Sequence, residues 1–366
     1  MSRPGLFLAA LPALAAAISF VGAPPADPAG AGLMSAVTER RLSEAVQVFS
    51  GLARPTATDQ YLTGFALMEL HAPQEAAAHL RAAQEAGFQV WKGWPEVDAL
   101  LDRVRTCGRL APPHRALSIP EPAIAVYAGP PTAWSAPVLA AIPEFEAVGR
   151  RIFGKDLPPL RFYLFAERKE YDRFFEALFG VPVSTAWQDG TGTLNVVVYC
   201  ETDRRGRTAR AAGAPETLGC VLHEFGHAWF GTYLMHRHGK EWLSPAMRRP
   251  WLDEGLADFV ASLRDPAFLE SRAAWLKEKA AGGAPAPAFE EIGDYDSFYR
   301  KGDVDVHYWA SALLVADLLG PLDRAPETIR RILDAAGRSG DVEGAVRTAT
   351  GKDLRKEFER VVRRSW

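Results

Sequence analysis

The sequence predicts an α+β protein in which a small sheet and several helices form one domain behind an all-helical segment. The strands are predicted at three β-branched and aromatic runs: "AIAVYAG" (123–129), "LRFYLFA" (160–166) and "LNVVVYCE" (194–201). Elsewhere, apolar residues recur at three-four spacing, which is typical of amphipathic helices. A proline-rich segment at 111–122 separates the two parts and is interpreted as a linker.

Composition restricts the function classes. With 366 residues, 48% of them apolar and 24% charged, the chain is long enough for two folded domains. The 42 basic and 45 acidic residues are mixed and give a net charge of -3, so we predict no nucleic-acid partner. The basic run "RRGRTAR" (204–210) lacks interleaved aromatic residues and is interpreted as a solvated loop.

The first 23 residues predict export. They place Arg3 before an apolar stretch that ends in small residues, which is the layout of a secretory signal peptide. The predicted location is therefore periplasmic or extracellular, with the cleavage site left open. Retention of residues 1–23 as a membrane anchor is the alternative, since the apolar stretch approaches spanning length.

The three cysteines, Cys107, Cys200 and Cys220, are too few for a disulfide scaffold. In an oxidising compartment Cys200 and Cys220 could pair across a short loop. Three buried thiols are the equally favoured alternative.

The helical segment covers residues 33–110. Its best repeat signal is "YLTGFALMELHAPQEAAAHLRAAQEAG" (61–87), where Gly64, Ala76 and Ala83 allow close helix packing. This stretch resembles a tetratricopeptide repeat, and because solenoids need about three repeats for stability, we expect a short module docked on the next domain. A plain helical hairpin is the alternative. A protein partner could bind through these helices.

The mixed part, residues 123–366, is predicted to contain a helix at 136–153 between the first two strands. The third strand follows the turn-rich "QDGTGT" (188–193). The remainder is mostly helical, including "WLDEGLADFVASL" (251–263) and "VHYWASALLVADLL" (306–319). A small sheet followed by helices indicates an α+β domain.

The motif "HEFGH" (223–227) provides candidate metal ligands. On a helix over 216–234, His223 and His227 share one face, with Cβ atoms about 5–6 Å apart. The opposite face is apolar, so we expect the helix to bury that face and to present the imidazoles to a cleft. Gly219 and Gly226 lie close to the histidine face, where their missing side chains would let other backbone or a substrate approach.

Glu254, in the block "WLDEGLADF" (251–259), would complete a His₂Glu set for catalytic zinc with a fourth position for water. Glu224 lies at the flank of the histidine face, where it could act as the general base. Asp258 lies one turn beyond Glu254 and is suited to hold a ligand imidazole by its outer N–H. The predicted cofactor is therefore Zn²⁺.

These residues carry a family resemblance. "HEFGH", "WLDEGLADF" and "YWASALLVADLL" (308–319) resemble the gluzincin metallopeptidases, which include thermolysin. The resemblance covers residues 123–366 and implies a thermolysin-like zincin catalytic domain. It also implies that Glu254 is the third zinc ligand and that Asp258 supports the ligand set.

The resemblance implies two further roles. Tyr308 would stabilise the oxyanion, with His307 as its rival, and the strand at 194–201 would be the sheet edge that pairs with an extended peptide. The chain departs from the family in the insertion "MHRHGKEWLSPAMRRP" (235–250), whose His236 and His238 are interpreted as loop residues and not as ligands. It also lacks a Gly-x-Met-Glu-Asn motif, so nothing supports aminopeptidase activity.

The sequence thus predicts a zinc-dependent metallopeptidase, with endopeptidase action on a peptide or protein substrate favoured. One alternative is a catalytically inactive, peptidase-like protein that binds peptide or protein through the helical module and the cleft. Another alternative is a structural core in which hydrogen bonds satisfy four polar residues: His223, Glu224, His227 and Glu254. A helical module at 33–110 that covers the cleft would inhibit the enzyme.

Overall fold

The computed structural model describes residues 28–38, 41–116, 122–183, 189–202, 215–239 and 249–366. It confirms an α+β protein, mostly helical with one small sheet. The predicted signal segment (1–23) and the basic run (204–210) lie outside the described residues. Within them, no helix is both long and apolar enough to cross a membrane.

The N-terminal helices are α1 (Pro28–Thr38), α2 (Leu42–Ser50), α3 (Ala57–Glu69), α4 (Pro73–Glu85) and α5 (Val97–Leu110). Together they form the helical module, which has its own apolar core. Helix α3 starts at a capping box in which Thr56 and Asp59 satisfy each other's backbone N–H groups. Helices α3 and α4 pack at Gly64, where an added Cβ would lie 2.7 Å from Leu80 Cγ. Only glycine allows this approach.

The sheet has five strands: β1 (His114–Arg115), β2 (Ile124–Ala128), β3 (Leu160–Phe165), β4 (Gly190–Thr193) and β5 (Val196–Cys200). Their order is β1-β2-β3-β5-β4. Strands β2, β3 and β5 are parallel, whereas β1 and β4 are antiparallel edge strands. The three predicted strands are therefore the central ones.

Three expectations about the sheet are wrong. The turn-rich stretch forms β4, because its glycines allow a close approach to a helix that larger residues would prevent. Strand β5 is consequently an inner strand and cannot be the peptide-pairing edge. The segment interpreted as a linker contributes β1, whose short pairing with β2 carries no hydrophobic pattern in the sequence.

Helices cover both faces of the sheet. On one face the strands pack against α6 (Ser135–Phe153) and α8 (Pro215–His238). On the other face they pack against α7 (Arg168–Phe179), which in turn contacts α5 of the helical module. Arg103 on α5 donates to the carbonyls of Ala177 and Leu178 at 2.9 and 3.0 Å. The module is thus docked on the mixed domain, as predicted.

The remaining helices are α9 (Pro250–Arg264), α10 (Ala267–Ala281), α11 (Phe289–Gly293), α12 (Tyr295–Arg300), α13 (Val304–Leu319), α14 (Ala325–Ser339), α15 (Val342–Thr350) and α16 (Leu354–Ser365). Helix α9 packs between α8 and α13. It comes close to both at glycines: a Cβ at Gly226 would lie 3.1 Å from Ala257 Cα, and one at Gly255 would lie 2.6 Å from Ser311 O.

Helix α8 is more deeply buried than its pattern predicts. From Thr217 to Met235 every residue is buried, including His223 and His227, each 4% exposed. The histidine face, which the sequence predicted to open to a cleft, is therefore buried in the described part of the chain. The polar face is instead covered by α9 and β4.

The three cysteines are buried thiols, and no disulfide joins Cys200 to Cys220. Cys200 lies in β5 with the aromatic cluster around α7, together with Cys107 of α5. Cys220 packs against Ala261 and Phe268 in a separate small cluster.

Candidate metal centre

Helices α8 and α9 bring three predicted ligands to one point. His223 Nε2 and His227 Nε2 are 2.9 Å apart, and Glu254 Oε2 lies 3.2 and 3.3 Å from them. The two histidines are one turn apart on α8, and close packing at Gly226 lets Glu254 reach both. All three residues are buried, and within the described residues they form a group that could hold a metal ion.

A carboxylate lies behind each imidazole. Asp258 Oδ1 is 2.8 Å from His223 Nδ1, and Asp253 Oδ1 is 2.8 Å from His227 Nδ1. A carboxylate acceptor holds the proton on Nδ1 and leaves the lone pair on Nε2, which is the tautomer that binds a metal. Both Nε2 lone pairs therefore point to the same place as Glu254 Oε2.

Asp258 is itself held from behind by Arg272 of α10. Arg272 Nε donates to Asp258 Oδ2 at 2.9 Å, and its guanidinium lies over the rings of Phe268 and Trp275. The two aromatic rings hold the buried guanidinium of Arg272 in place behind Asp258. Arg272, Asp258 and His223 thus form a continuous chain of hydrogen bonds that ends at the site.

The carboxylates control the protonation of the site. Burial lowers the pKa of His223, but its bonds with Asp258 and Glu254 outweigh this and raise the pKa to about 9. His227 is likewise raised well above its usual pKa by Asp253 and Glu254 despite burial. For Glu254 burial raises the pKa, but the two imidazoles lower it to about 2. The site therefore has a strong affinity for positive charge.

The donor set fits a divalent cation. Glu254 Oε2 is buried and faces the Nε2 atoms of both imidazoles, at 3.2 and 3.3 Å. Two imidazole nitrogens and a buried carboxylate oxygen that converge at about 3 Å need a positive charge between them, which a proton on an imidazole or a bound metal cation supplies. Two nitrogens and one oxygen are also the ligands that catalytic zinc sites use.

Glu224 of α8 lies beside this group and contacts strand β4. Its Oε2 accepts from the backbone N–H of Gly192 at 2.6 Å, whereas its Oε1 is buried with no hydrogen-bond partner in the described structure. Burial raises the pKa of Glu224, an effect opposed by the neighbouring imidazoles. A buried carboxylate with one oxygen held and the other unpaired is suited to accept a proton from a bound molecule.

Strand β4 approaches α8 this closely because of its glycines. A Cβ on Gly192 would lie 1.7 Å from the Glu224 carbonyl oxygen, and one on Gly190 would lie 3.2 Å from Glu224 Cγ. Both residues face α8, since they pair with Val197 and Tyr199, whose side chains pack on that face of the sheet. Any other residue at Gly192 would push the strand away from Glu224.

Two tyrosine hydroxyls lie on the other side of Glu254. Tyr299 of α12 donates to Glu254 Oε1, and Tyr308 of α13 is hydrogen-bonded to Tyr299. Burial and the charge of Glu254 raise the pKa of both hydroxyls well above the usual range. They therefore remain protonated and can donate.

His307, the rival of Tyr308, is placed differently. Its Nδ1 lies 2.7 Å from the Phe298 carbonyl oxygen, and its Nε2 faces Gly302. The structure thus brings Tyr308 near Glu254 and directs His307 to the turn before α13.

His236 and His238 lie on the last turn of α8, so their placement in a loop is wrong. The helix continues to His238 because that turn is held by Asp334 of α14, which lies 2.9 Å from His238 Nε2. His236 Nε2 lies 3.3 Å from Asn195 Oδ1. Neither is part of the ligand group.

Comparison of the chain with protein-family models, curated proteins and solved structures gives no significant match. The assignment of the site therefore depends on its own geometry.

Sequence reasoning missed four residues of this site: Asp253, Arg272, Tyr299 and Gly192. Asp253 had a signal, because it is adjacent to Glu254 in a motif block and is acidic. The other three lie on separate elements, α10, α12 and β4, and no spacing connects them with the histidines. Only the packing of these elements reveals their contacts.

Proposed function

We propose that the protein is a zinc-dependent peptide-bond hydrolase that acts as an endopeptidase. The observation that carries the proposal is the convergence of His223 Nε2, His227 Nε2 and Glu254 Oε2, with a carboxylate behind each imidazole. A purely structural polar core would not leave Glu224 Oε1 buried without a hydrogen-bond donor.

The division of labour follows from the contacts. Zinc bound by His223, His227 and Glu254 would supply Lewis-acid chemistry and bring the pKa of water to about 7. Glu224 Oε1 takes the proton from the attacking water and passes it to the leaving amine, while Gly192 N–H holds Oε2. The hydroxyl of Tyr308 donates to the carbonyl oxygen as negative charge develops there.

The edge of the sheet next to the site is the place proposed for an extended substrate. That edge is β4, since β5 lies inside the sheet. An edge strand offers main-chain hydrogen bonds to a peptide regardless of its side chains. A peptide bound along β4 would pass Glu224, which already contacts Gly192.

The finer fold assignment is part of the same proposal. A helix with two histidines, a following helix with the third ligand, and a sheet with an antiparallel edge strand support a gluzincin-type zincin domain. The close α3–α4 pair at Gly64 supports a tetratricopeptide-like module. Export, with the signal at residues 1–23, remains the proposed location.

Metal content is the first test. Elemental analysis of the purified full chain, after equilibration with zinc and desalting, is expected to give about one zinc per molecule. The His223→Ala/His227→Ala protein is expected to contain none. A folded wild type that takes up no zinc would overturn the proposal and leave the polar-core interpretation.

Turnover is the second test, and it separates an enzyme from an inactive binding protein. Digestion of a denatured-protein mixture, followed by mass spectrometry, is expected to show cleavage by the wild type. Glu224→Gln should retain zinc and cleave the substrate about 10²–10⁴-fold more slowly. Glu146→Gln is the matched control, because Glu146 is a buried carboxylate bonded to Arg150 and to Ala123 N–H outside the site. Equal, near-zero rates in zinc-loaded wild type and Glu224→Gln would favour the binding protein.

A further inference from the structure

The turn between β4 and β5 is held by three separate elements through Asn195. This residue has φ +60°, a left-handed conformation that asparagine adopts more readily than most residues. Its backbone N–H donates to Thr232 Oγ1 of α8 at 2.8 Å, and its carbonyl accepts from Arg161 N–H of β3 at 2.8 Å. Its side-chain amide donates to the Leu70 carbonyl of the helical module at 3.0 Å.

The helical module contacts the turn at its α3–α4 corner. Next to Leu70, His71 also has a positive φ, +56°, and its carbonyl accepts from the Arg161 guanidinium at 3.3 Å. Arg161 also pairs with Glu75 of α4. Asn195 and His71 are the two non-glycine residues with positive φ within the described chain, and both lie at this junction.

The apolar contacts follow the same path. Leu194, in the turn, and Met235 of α8 belong to the apolar core of the helical module. Leu194 is 6% exposed and Met235 is 1% exposed, so the turn is inserted into the module and not laid on its surface. Movement of the module corner would therefore move the turn.

Glu224, the proposed general base, lies at the other end of this chain of contacts. Gly192 lies three residues before Asn195, in a strand of four residues, and its N–H donates to Glu224 Oε2. Because the strand is short and its turn is fixed at Asn195, the position of the turn determines where the Gly192 N–H lies. This contact of the module with the mixed domain is thus connected to Glu224 through one short strand.

We propose that the helical module is a positioning element of the catalytic site, which holds the Gly192 N–H on Glu224 through Asn195 and the β4–β5 turn. Asn195 acts through Gly192 and is a positioning residue. The kinetic part of this proposal rests on the hydrolase function, whereas the structural part does not.

Two substitutions of Asn195 in the zinc-loaded full chain test the connection. Asn195→Asp places an acceptor against the Leu70 carbonyl in place of the donor. Asn195→Gly also removes the donor but retains the positive φ without strain. If the connection to Leu70 matters, both variants should exchange the Gly192 amide at least about tenfold faster in residue-resolved hydrogen-exchange mass spectrometry.

The kinetic expectation is a lower kcat in both variants, by about tenfold, with zinc stoichiometry unchanged, because a displaced Gly192 N–H leaves Glu224 misoriented. KM should change less than kcat. Asn195→Gly is decisive, because a role limited to the turn conformation predicts wild-type exchange and wild-type kcat for this variant. Such a result would overturn the proposal.

Tyr61→Phe is the matched control for loss of stability in the module. Tyr61 is buried in the same apolar core, and its hydroxyl donates to the Pro95 carbonyl at 2.7 Å, away from the junction. This variant should lower the melting temperature of the module and leave Gly192 exchange and kcat unchanged. If it reproduces the Asn195 effects, general destabilisation explains them and the proposal fails.

The outcomes separate this proposal from the hydrolase function. If the wild type binds no zinc or cleaves nothing, the amide exchange of Gly192 still tests the connection. If the wild type is active but exchange is unaffected in both Asn195 variants, the connection is refuted and the hydrolase stands. Higher turnover in both variants would indicate an inhibitory module, which is the opposite of the proposal.

Discussion

Helix α8 carries two pairs of histidines whose contacts differ. His223 and His227, four residues apart, direct their side chains to the same place, and their Nε2 atoms are 2.9 Å apart. Each Nδ1 atom faces a carboxylate. His236 and His238, two residues apart, point in different directions, to Asn195 and Asp334. Residues at spacing four share a helix face, whereas residues at spacing two do not.

The electrostatics of the two pairs differ as well. Carboxylates raise the pKa of His223 to about 9 in spite of burial, whereas burial lowers the pKa of His236. A metal site therefore requires both the spacing of the imidazoles and the acids that neighbouring helices place behind them. Substitution of the imidazoles, and then of the acids behind them, tests this comparison.

The largest expected effect comes from the histidines themselves. His223→Ala/His227→Ala should abolish zinc binding, whereas His236→Ala/His238→Ala should retain about one zinc per chain by elemental analysis. The first variant leaves Asp253 and Asp258 without their imidazole partners, so its fold is checked by circular dichroism. If it is unfolded, Glu254→Gln takes its place. Equal zinc content in the two double variants would contradict the comparison.

The carboxylates behind the imidazoles should have the next largest effect. Asp253→Asn and Asp258→Asn keep the shape but remove the charge that orients each ring, so zinc affinity should fall by about 10–100-fold in competition titrations with a chelator. Asp334→Asn, which alters the acid at His238, is the matched control and should leave zinc affinity unchanged. A fall of the same size in the control would indicate a general electrostatic effect.

A smaller effect is expected from the tyrosine that contacts Glu254. Tyr299→Phe removes the donor to Oε1 and should weaken zinc binding by about threefold to tenfold, because that bond forms with or without the metal. Tyr233→Phe removes a similar bond, to Asp334 at 2.9 Å, at the other end of α8. Zinc titration compares the affinities of the two variants. An unchanged zinc affinity in Tyr299→Phe would show that Glu254 binds the metal equally well without the Tyr299 hydrogen bond.

The smallest effect concerns pH and the second histidine pair. Burial raises the pKa of Asp334, but His238, Tyr233 and Arg237 lower it overall, so it stabilises the fold above its unfolded pKa of about 3.8. As pH falls through the lower folded pKa, that contribution is lost. Asp156 also faces Arg237, at 3.5 Å.

Thermal melts from pH 6 to pH 3 measure this contribution. Wild type should lose slightly more stability on acidification than Asp334→Asn, by less than about 1 kcal/mol, as is usual for a partly exposed ion pair. An identical pH dependence of the two melting temperatures would show that the Asp334 pairings contribute nothing to stability.

Several elements could be predicted from the sequence because their signal is local. The central strands at 124–128, 160–165 and 196–200 have β-branched and aromatic runs, and the helix at 135–153 has three-four spacing. Strand β4 could not be predicted, since the residues "GTGT" have turn propensity. They form a strand because their glycines fit between β5 and α8, which is a property of the packed domain.

The sequence by itself determined the α+β class, the helix that carries His223 and His227, and the acidic block of Glu254 and Asp258, because these depend on spacing along one element. Only the tertiary structure decided which groups meet across elements. It placed Tyr299 on Glu254, Asp253 on His227 and the Gly192 N–H on Glu224. Contacts between elements depend on how closely the backbones approach, and here small residues at a few positions set that distance.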